Sequence, residues 1–115
     1  MIQRAQERQN EITENMRGGP GRVLKSALAS PEQLNNKGRM FSIITLEPGC
    51  GIGFHTHEGE TELFYLMEGE ADYSDNGVLQ HVQAGDVTIC PPGEGHSITN
   101  NSQLPTKLVA LILYA

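Results

Sequence analysis

From Arg39 onward the chain is written in short runs of apolar and β-branched residues, each stopped by Gly, Pro, Asn or Asp, which is the signature of strands joined by tight turns. Met40 to Leu46 stops at Pro48-Gly49, and Ile52 to His57, Thr61 to Met67 and Glu70 to Ser74 follow at short intervals. Asn76-Gly77 stands between Ala71–Ser74 and Val78–Val82 and predicts a hairpin, because both central positions of the favoured two-residue turn need positive φ. Asp86 to Ile89, Gly95 to Thr99 and Thr106 to Tyr114 complete a set of eight or nine short strands. That spacing implies an all-β sandwich or closed barrel.

The start of the chain follows a different pattern. Residues 1–22 are polar and end in Gly18-Gly19-Pro20-Gly21, which reads as an arm followed by a turn. This is not a phosphate-binding loop, since Arg22-Val23 stand where a Lys followed by Ser or Thr is needed. Val23 to Leu28 reads as a short strand, and the barrel domain is expected over residues 23–115. Ser30-Pro31-Glu32-Gln33 has the form of a helix start, with Ser as N-cap, Pro at the first helical position and Gln three residues after the cap. Asn35-Asn36-Lys37-Gly38 must end that helix at once, so at most one short helix is expected.

Composition narrows the classes of function. The 115 residues suit one domain, and 13 glycines, 6 prolines and no Trp agree with short elements and many turns. Lys plus Arg number 8 against 14 Asp plus Glu, a net charge of −6, which argues against phosphate backbones and anionic lipid as partners. No apolar leader opens the sequence, and the longest apolar run, Leu108 to Ala115, is too short to cross a bilayer. The expectation is a soluble, cytoplasmic protein that binds neither nucleic acid nor membrane. Cys50 and Cys90 are too few for a disulfide framework and read as reduced, partly buried thiols, with a bridge or redox pair left open.

Three of the four histidines carry chemical meaning by their placement. His55 and His57 are two apart on a predicted strand, so both imidazoles project from one face. Alone, a His-x-His pair on a strand is more often solvent-facing or hydrogen-bonded than metallated. Glu62 follows after a turn-length gap, and His96 follows the stiff turn Pro91-Pro92-Gly93-Glu94-Gly95 and can close the site from a distant strand. Three imidazoles and a carboxylate suit Mn, Fe, Co, Ni or Zn and leave positions open for water or a ligand. Alternation then turns Phe64, Leu66 and Ile98 inward beside the donors, giving an apolar cup. His81 lies outside this arrangement, and Glu58, Glu60 and Glu94 flank the donors in loops and could serve as acid or base, with solvated loop carboxylates as the default. Arg39, Tyr65 and Tyr73 are plausible pocket residues with no spacing argument to raise them above edge or core duty.

These residues resemble a family. Gly49, His55, His57, Glu62 and Gly69 reproduce the spacing of the first cupin motif, and Gly85, Pro91, Gly93, His96 and Asn100 that of the second, with no position substituted. The chain's own residue frequencies put a chance match to both, in order, at roughly one in ten million or rarer. The resemblance implies a jelly-roll barrel (double-stranded β-helix) in which His55, His57, Glu62 and His96 bind one divalent transition metal. It also implies turn roles for Gly49, Gly69, Gly85, Gly93 and Pro91, and a turn-tying role for Asn100.

Cupins span many reactions, so the resemblance sets the fold and site rather than the substrate. The leading expectation is a mononuclear metal-dependent enzyme acting on a small oxygen-bearing molecule, of isomerase, decarboxylase, lyase or dioxygenase type, with no catalytic acid or base assigned. The alternatives are a small-molecule binding or sensing module and a protein that simply holds metal. The polar arm and the consecutive apolar positions of Lys107 to Tyr114, together with the habit of small cupins, imply a homodimer, with the arm possible as an exchanged element.

Overall fold

A computed structural model describes all residues, 1–115. Ten strands follow in order: β1 (Asn10–Glu14), β2 (Arg22–Ala29), β3 (Gly38–Leu46), β4 (Gly51–Thr56), β5 (Glu60–Glu68), β6 (Glu70–Asp75), β7 (Val78–Gln83), β8 (Val87–Cys90), β9 (Gly95–Thr99) and β10 (Thr106–Tyr114). They form two antiparallel sheets, one ordered β1-β2-β3-β10-β5-β8 and the other β4-β9-β6-β7. The expected all-β jelly roll is what forms, with the predicted Asn76-Gly77 hairpin joining β6 to β7 at φ +50° and +97°.

Strict alternation builds the interior. Glu62, Phe64 and Leu66 of β5 point in, as do Ile44 and Leu46 of β3, Leu108, Ala110 and Ile112 of β10, and His96 and Ile98 of β9, all at most 4% exposed. The two sheets therefore meet over one apolar core that narrows, at one end, to histidines and a carboxylate.

The N-terminal residues are more ordered than a free arm. β1 pairs antiparallel with β2, Asn10 opposite Ser26 through Glu14 opposite Arg22, and so extends the larger sheet within the same chain. A 3-10 turn at Met16–Gly18 then packs on β4.

The expected helix after Ser30 is absent. Its capping box does form: Gln33 N donates to Ser30 Oγ at 3.2 Å and Ser30 N to Gln33 Oε1 at 2.9 Å. Asn35 and Asn36, at φ +56° and +55°, then turn the chain left-handed, so only a single turn closes. One turn fixes several dihedrals for few hydrogen bonds and does not propagate. The helical residues lie instead in two 3-10 turns at Ala5–Glu7 and Met16–Gly18, which no sequence signal marked.

The motif glycines do what their positions require. Gly69, at φ +83°, would place a Cβ 2.7 Å from Thr106 Oγ1, so the β5–β6 junction excludes a side chain both by dihedral and by space. Asn100 is fully buried and uses its whole amide: Nδ2 donates to Leu46 O and Leu104 O, each at 2.9 Å, and Oδ1 accepts from Ser102 N and Oγ. Replacing Asn100 with Ala orphans the buried Leu46 carbonyl, and a loss of about 2–3 kcal/mol is expected, read as a lower urea midpoint with unchanged slope.

Candidate metal centre

Backbone pairing brings the donors together before any side chain is considered. His55 on β4 is directly opposite His96 on β9, so the two imidazoles leave neighbouring strands of one sheet. His57, just past β4, is clamped to the Pro91–Gly95 turn by two backbone hydrogen bonds, His57 N to Glu94 O at 3.0 Å and Gly93 N to His57 O at 2.7 Å. That turn is what fixes His57 relative to His96. Glu62 enters from β5 of the other sheet.

The four side chains predicted from the motif spacing converge, each offering one donor atom, all within 4.8 Å of one another. His57 Nε2 lies 3.1 Å from His55 Nε2, 3.1 Å from His96 Nε2 and 3.0 Å from Glu62 Oε1. Glu62 Oε1 is 2.9 Å from His96 Nε2 and 3.8 Å from His55 Nε2. Two donors each about 2.1 Å from a shared cation and at right angles to each other stand about 3.0 Å apart, so the set has the size for a first-row divalent metal.

The outward nitrogens decide which way the protons lie. His55 Nδ1 donates to Gly53 O at 2.8 Å, and His57 Nδ1 donates to Glu60 Oε1 at 2.8 Å. Both partners only accept, so in the neutral rings the proton sits on Nδ1 and a lone pair on Nε2 is aimed at the centre. His96 Nδ1 meets the Tyr73 hydroxyl at 2.9 Å, and its ring lies against Phe64 at a centroid distance of 5.0 Å and 15° between planes. The His55 and His57 lone pairs and the Glu62 oxygen, at contact distance, repel one another unless a proton or a cation stands among them. This donor set fits a divalent metal.

Glu62 is the anionic member of the set. Burial opposes its ionisation, but hydrogen bonds from the His55 and His96 rings and the positive charge of His96 and His57 when protonated outweigh it and hold the carboxyl at about 2, so a bound cation takes the place of the protons those rings otherwise turn toward Glu62. Burial lowers the pKa of His96, which favours the neutral, metal-binding form. Cys90 lies opposite Glu62 on β8, and burial followed by the nearby Glu62 charge pushes its thiol up to about 11. It is therefore a neutral thiol beside the centre, and both cysteines are free. Burial likewise pushes the Tyr73 phenol up to about 12.

Three orienting groups escape the sequence reading. Glu60 is not a solvated loop residue: it opens β5 on the same face as Glu62, and the Arg39 guanidinium grips it through two 2.8 Å hydrogen bonds while it holds His57. Alternation from Glu62 back to Glu60 was the signal that could have found it. Tyr73 shares the inward face of β6 with Ala71, but no local pattern shows that its hydroxyl reaches His96. Arg39, a plausible pocket residue with no spacing to assign it a role, is on β3, 21 residues before the Glu60 it holds. His81 lies outside the cluster as expected, exposed and beside Asp72 at 3.2 Å.

The Arg39 hydrogen bonds, against a burial cost and with help from His57, hold the Glu60 carboxyl at about 2 instead of 4.5. A depressed acid stabilises the fold above its unfolded pKa, and that contribution is lost as pH falls from about 4.5 to about 2. In chelator-treated protein, Glu60→Gln should therefore flatten the acid side of a thermal-stability profile. In the metal-loaded protein it should weaken affinity about tenfold or more, measured by chelator competition, because His57 loses its charged acceptor.

A Cupin domain family model matches residues 42–112, more than half of the chain. This protein belongs to the cupin family. An oxalate-binding protein of Thermotoga maritima is 41% identical over 113 residues, 98% of this chain and 93% of that protein. The crystal structure of a predicted oxalate decarboxylase from Thermotoga maritima superposes with a TM-score of 0.97 at 40% identity, covering 100% of both chains. A Cupin 2 conserved barrel domain protein from Salinispora arenicola, at 23% identity and TM-score 0.73 over 100% of this chain and 88% of its own, shares the fold.

Proposed function

We propose that this cupin holds one divalent transition metal, of the series Mn, Fe, Co, Ni or Zn, on His55, His57, Glu62 and His96, and binds a small dicarboxylate of the oxalate class at that metal. The observation that carries the metal is the orientation of the rings: Gly53 O and Glu60 take the Nδ1 protons and leave Nε2 lone pairs on a common point. The support for the ligand class is the 41% identical Thermotoga maritima protein named for oxalate binding.

The chemistry is consistent. A bound divalent cation supplies Lewis-acid attraction for carboxylate oxygens. Glu62 is the one anionic donor, so the loaded centre keeps a net positive charge that favours a dianion over a neutral analogue. Ile112 and Cys90 flank Glu62 on its two neighbouring strands, and Phe64 covers the His96 ring. These walls are apolar or neutral, which strengthens the ion–dianion attraction relative to water.

The test is calorimetric titration of oxalate into metal-loaded and chelator-treated protein. One equivalent bound by the loaded form and none by the stripped form supports the proposal. Equal binding by both forms, or no binding by a fully loaded one, rejects it. A second reading, turnover rather than binding, is favoured by the 40% identical structure described as a predicted oxalate decarboxylase. Formate and carbon dioxide released from oxalate by the loaded protein, and not by a His57→Ala variant, would establish that reading.

A further inference from the structure

Behind His96 the hydrogen bonds run in a single direction. Its Nε2 is 2.9 Å from Glu62 Oε1 and 3.1 Å from His57 Nε2, and with the His57 proton on Nδ1 both of these only accept. In the neutral ring the proton therefore sits on Nε2, and Nδ1 accepts from the Tyr73 hydroxyl at 2.9 Å. His96 is thus the reverse of His55 and His57, whose protons sit on Nδ1. Its Nε2–H is the proton that stands among the crowded acceptors.

A metal ligand needs that Nε2 lone pair free. A neutral His96 supplies it only with the proton on Nδ1, where the Tyr73 oxygen must turn from donor to acceptor and the phenol proton must find another partner. Thr88 provides one. It is the register partner of Phe64, so both side chains enter the core at one level, and Phe64 meets Tyr73 edge-on. Burial raises the Tyr73 pKa and the Thr88 hydroxyl beside it draws it partway back, so the two hydroxyls are neighbours. The two side chains also border one cavity. Yet Thr88 Oγ1 is the only buried side-chain oxygen or nitrogen without a hydrogen-bond partner, and it is closed to solvent. A buried hydroxyl left unpaired costs stability and calls for a reason.

We propose that Tyr73 and Thr88 form a hydroxyl relay that fixes the tautomer of His96, and that the relay reverses when metal is held. With the proton on Nε2, Tyr73 donates to His96 and Thr88 Oγ1 stays unpaired. With the Nε2 lone pair engaged, His96 Nδ1–H donates to Tyr73 and Tyr73 donates to Thr88 Oγ1. The ring stays neutral throughout: one proton leaves Nε2 for water and one arrives at Nδ1, with none gained or lost overall. Tyr73 and Thr88 are positioning residues, and their role rests on the metal reading above.

Zinc, which is diamagnetic, is the probe, and nitrogen NMR of the histidine side chains at about pH 8, where free imidazoles are neutral, is the readout. Chelator-treated protein should show His96 protonated on Nε2 and zinc-loaded protein on Nδ1, while His55 and His57 stay on Nδ1 in both. The wild-type spectra decide the tautomers without any variant. Thr88→Val removes the oxygen at constant shape. The melting temperature of the chelator-treated variant should not fall, whereas zinc affinity by chelator competition should drop about tenfold or more. Thr88→Ser should restore it. In a Tyr73→Phe background Thr88→Val should change affinity no further, since the relay is already cut. A His96 proton on Nδ1 before loading, or wild-type affinity in Thr88→Val, overturns the inference, as does an equal loss in the Tyr73→Phe background. Those results leave the metal centre standing, whereas a wild-type chain that takes up no zinc removes both.

Discussion

His57→Ala should leave the purified protein without bound metal, whereas His81→Ala should retain one equivalent. His57 Nε2 is the donor closest to all the others, at 3.1, 3.0 and 3.1 Å from His55, Glu62 and His96. Removing it takes away one coordinating lone pair and also releases Glu60, which loses one of its two partners. The loss of affinity should exceed the about 10- to 100-fold typical of removing an orienting group such as Glu60. Elemental analysis after dialysis measures it directly. His81, exposed and hydrogen-bonded to Asp72, is the control for any general effect of losing a histidine. Full occupancy in His57→Ala would place the metal elsewhere.

Phe64→Ala should be the most destabilising single core truncation, at about 3–5 kcal/mol, or a fall in melting temperature of roughly 12–20 °C. Phe64 is 1% exposed at the centre of the main cluster, and its ring stacks on His96 and meets Tyr73 edge-on. The cavity would open against the imidazole itself, so metal affinity should fall with stability. Leu108→Ala separates the two effects. That side chain is fully buried in the same cluster, and its loss should cost about 2–5 kcal/mol while leaving affinity intact. Differential scanning calorimetry of chelated protein, paired with chelator competition, distinguishes these outcomes.

Most strands were legible because alternation is local, and the four donors because two separate motif spacings, Gly49 to Gly69 and Gly85 to Asn100, each carry part of the set. A run such as Thr61 to Met67 carries its own alternation, and the turn residues Pro48-Gly49 and Asn76-Gly77 mark where each run stops. The pairing of strands was not legible. β10 inserts between β3 and β5, and β4 pairs with β9, through contacts whose sequence separation leaves no local trace. The groups behind the histidines fell in the same gap. Tyr73 and Arg39 reach the site across strands that are adjacent only in the folded sheets. The expected helix that does not form has a different cause. Ser30 and Gln33 gave a correct cap, but a cap states where a helix can begin and not whether the following residues will continue it. The polar sequence of β1 hid its pairing, because an edge strand with charged residues has no apolar alternation to read.

His55 and His96 stand on one sheet, His57 just past the end of β4 in that sheet, and Glu62 on the other. A cation held by all four is thus a rivet through both halves of the sandwich. Prying the layers apart would have to break coordinate bonds as well as apolar contacts. Loading should therefore slow amide exchange in β5 and β9 together, two strands that share no hydrogen bond.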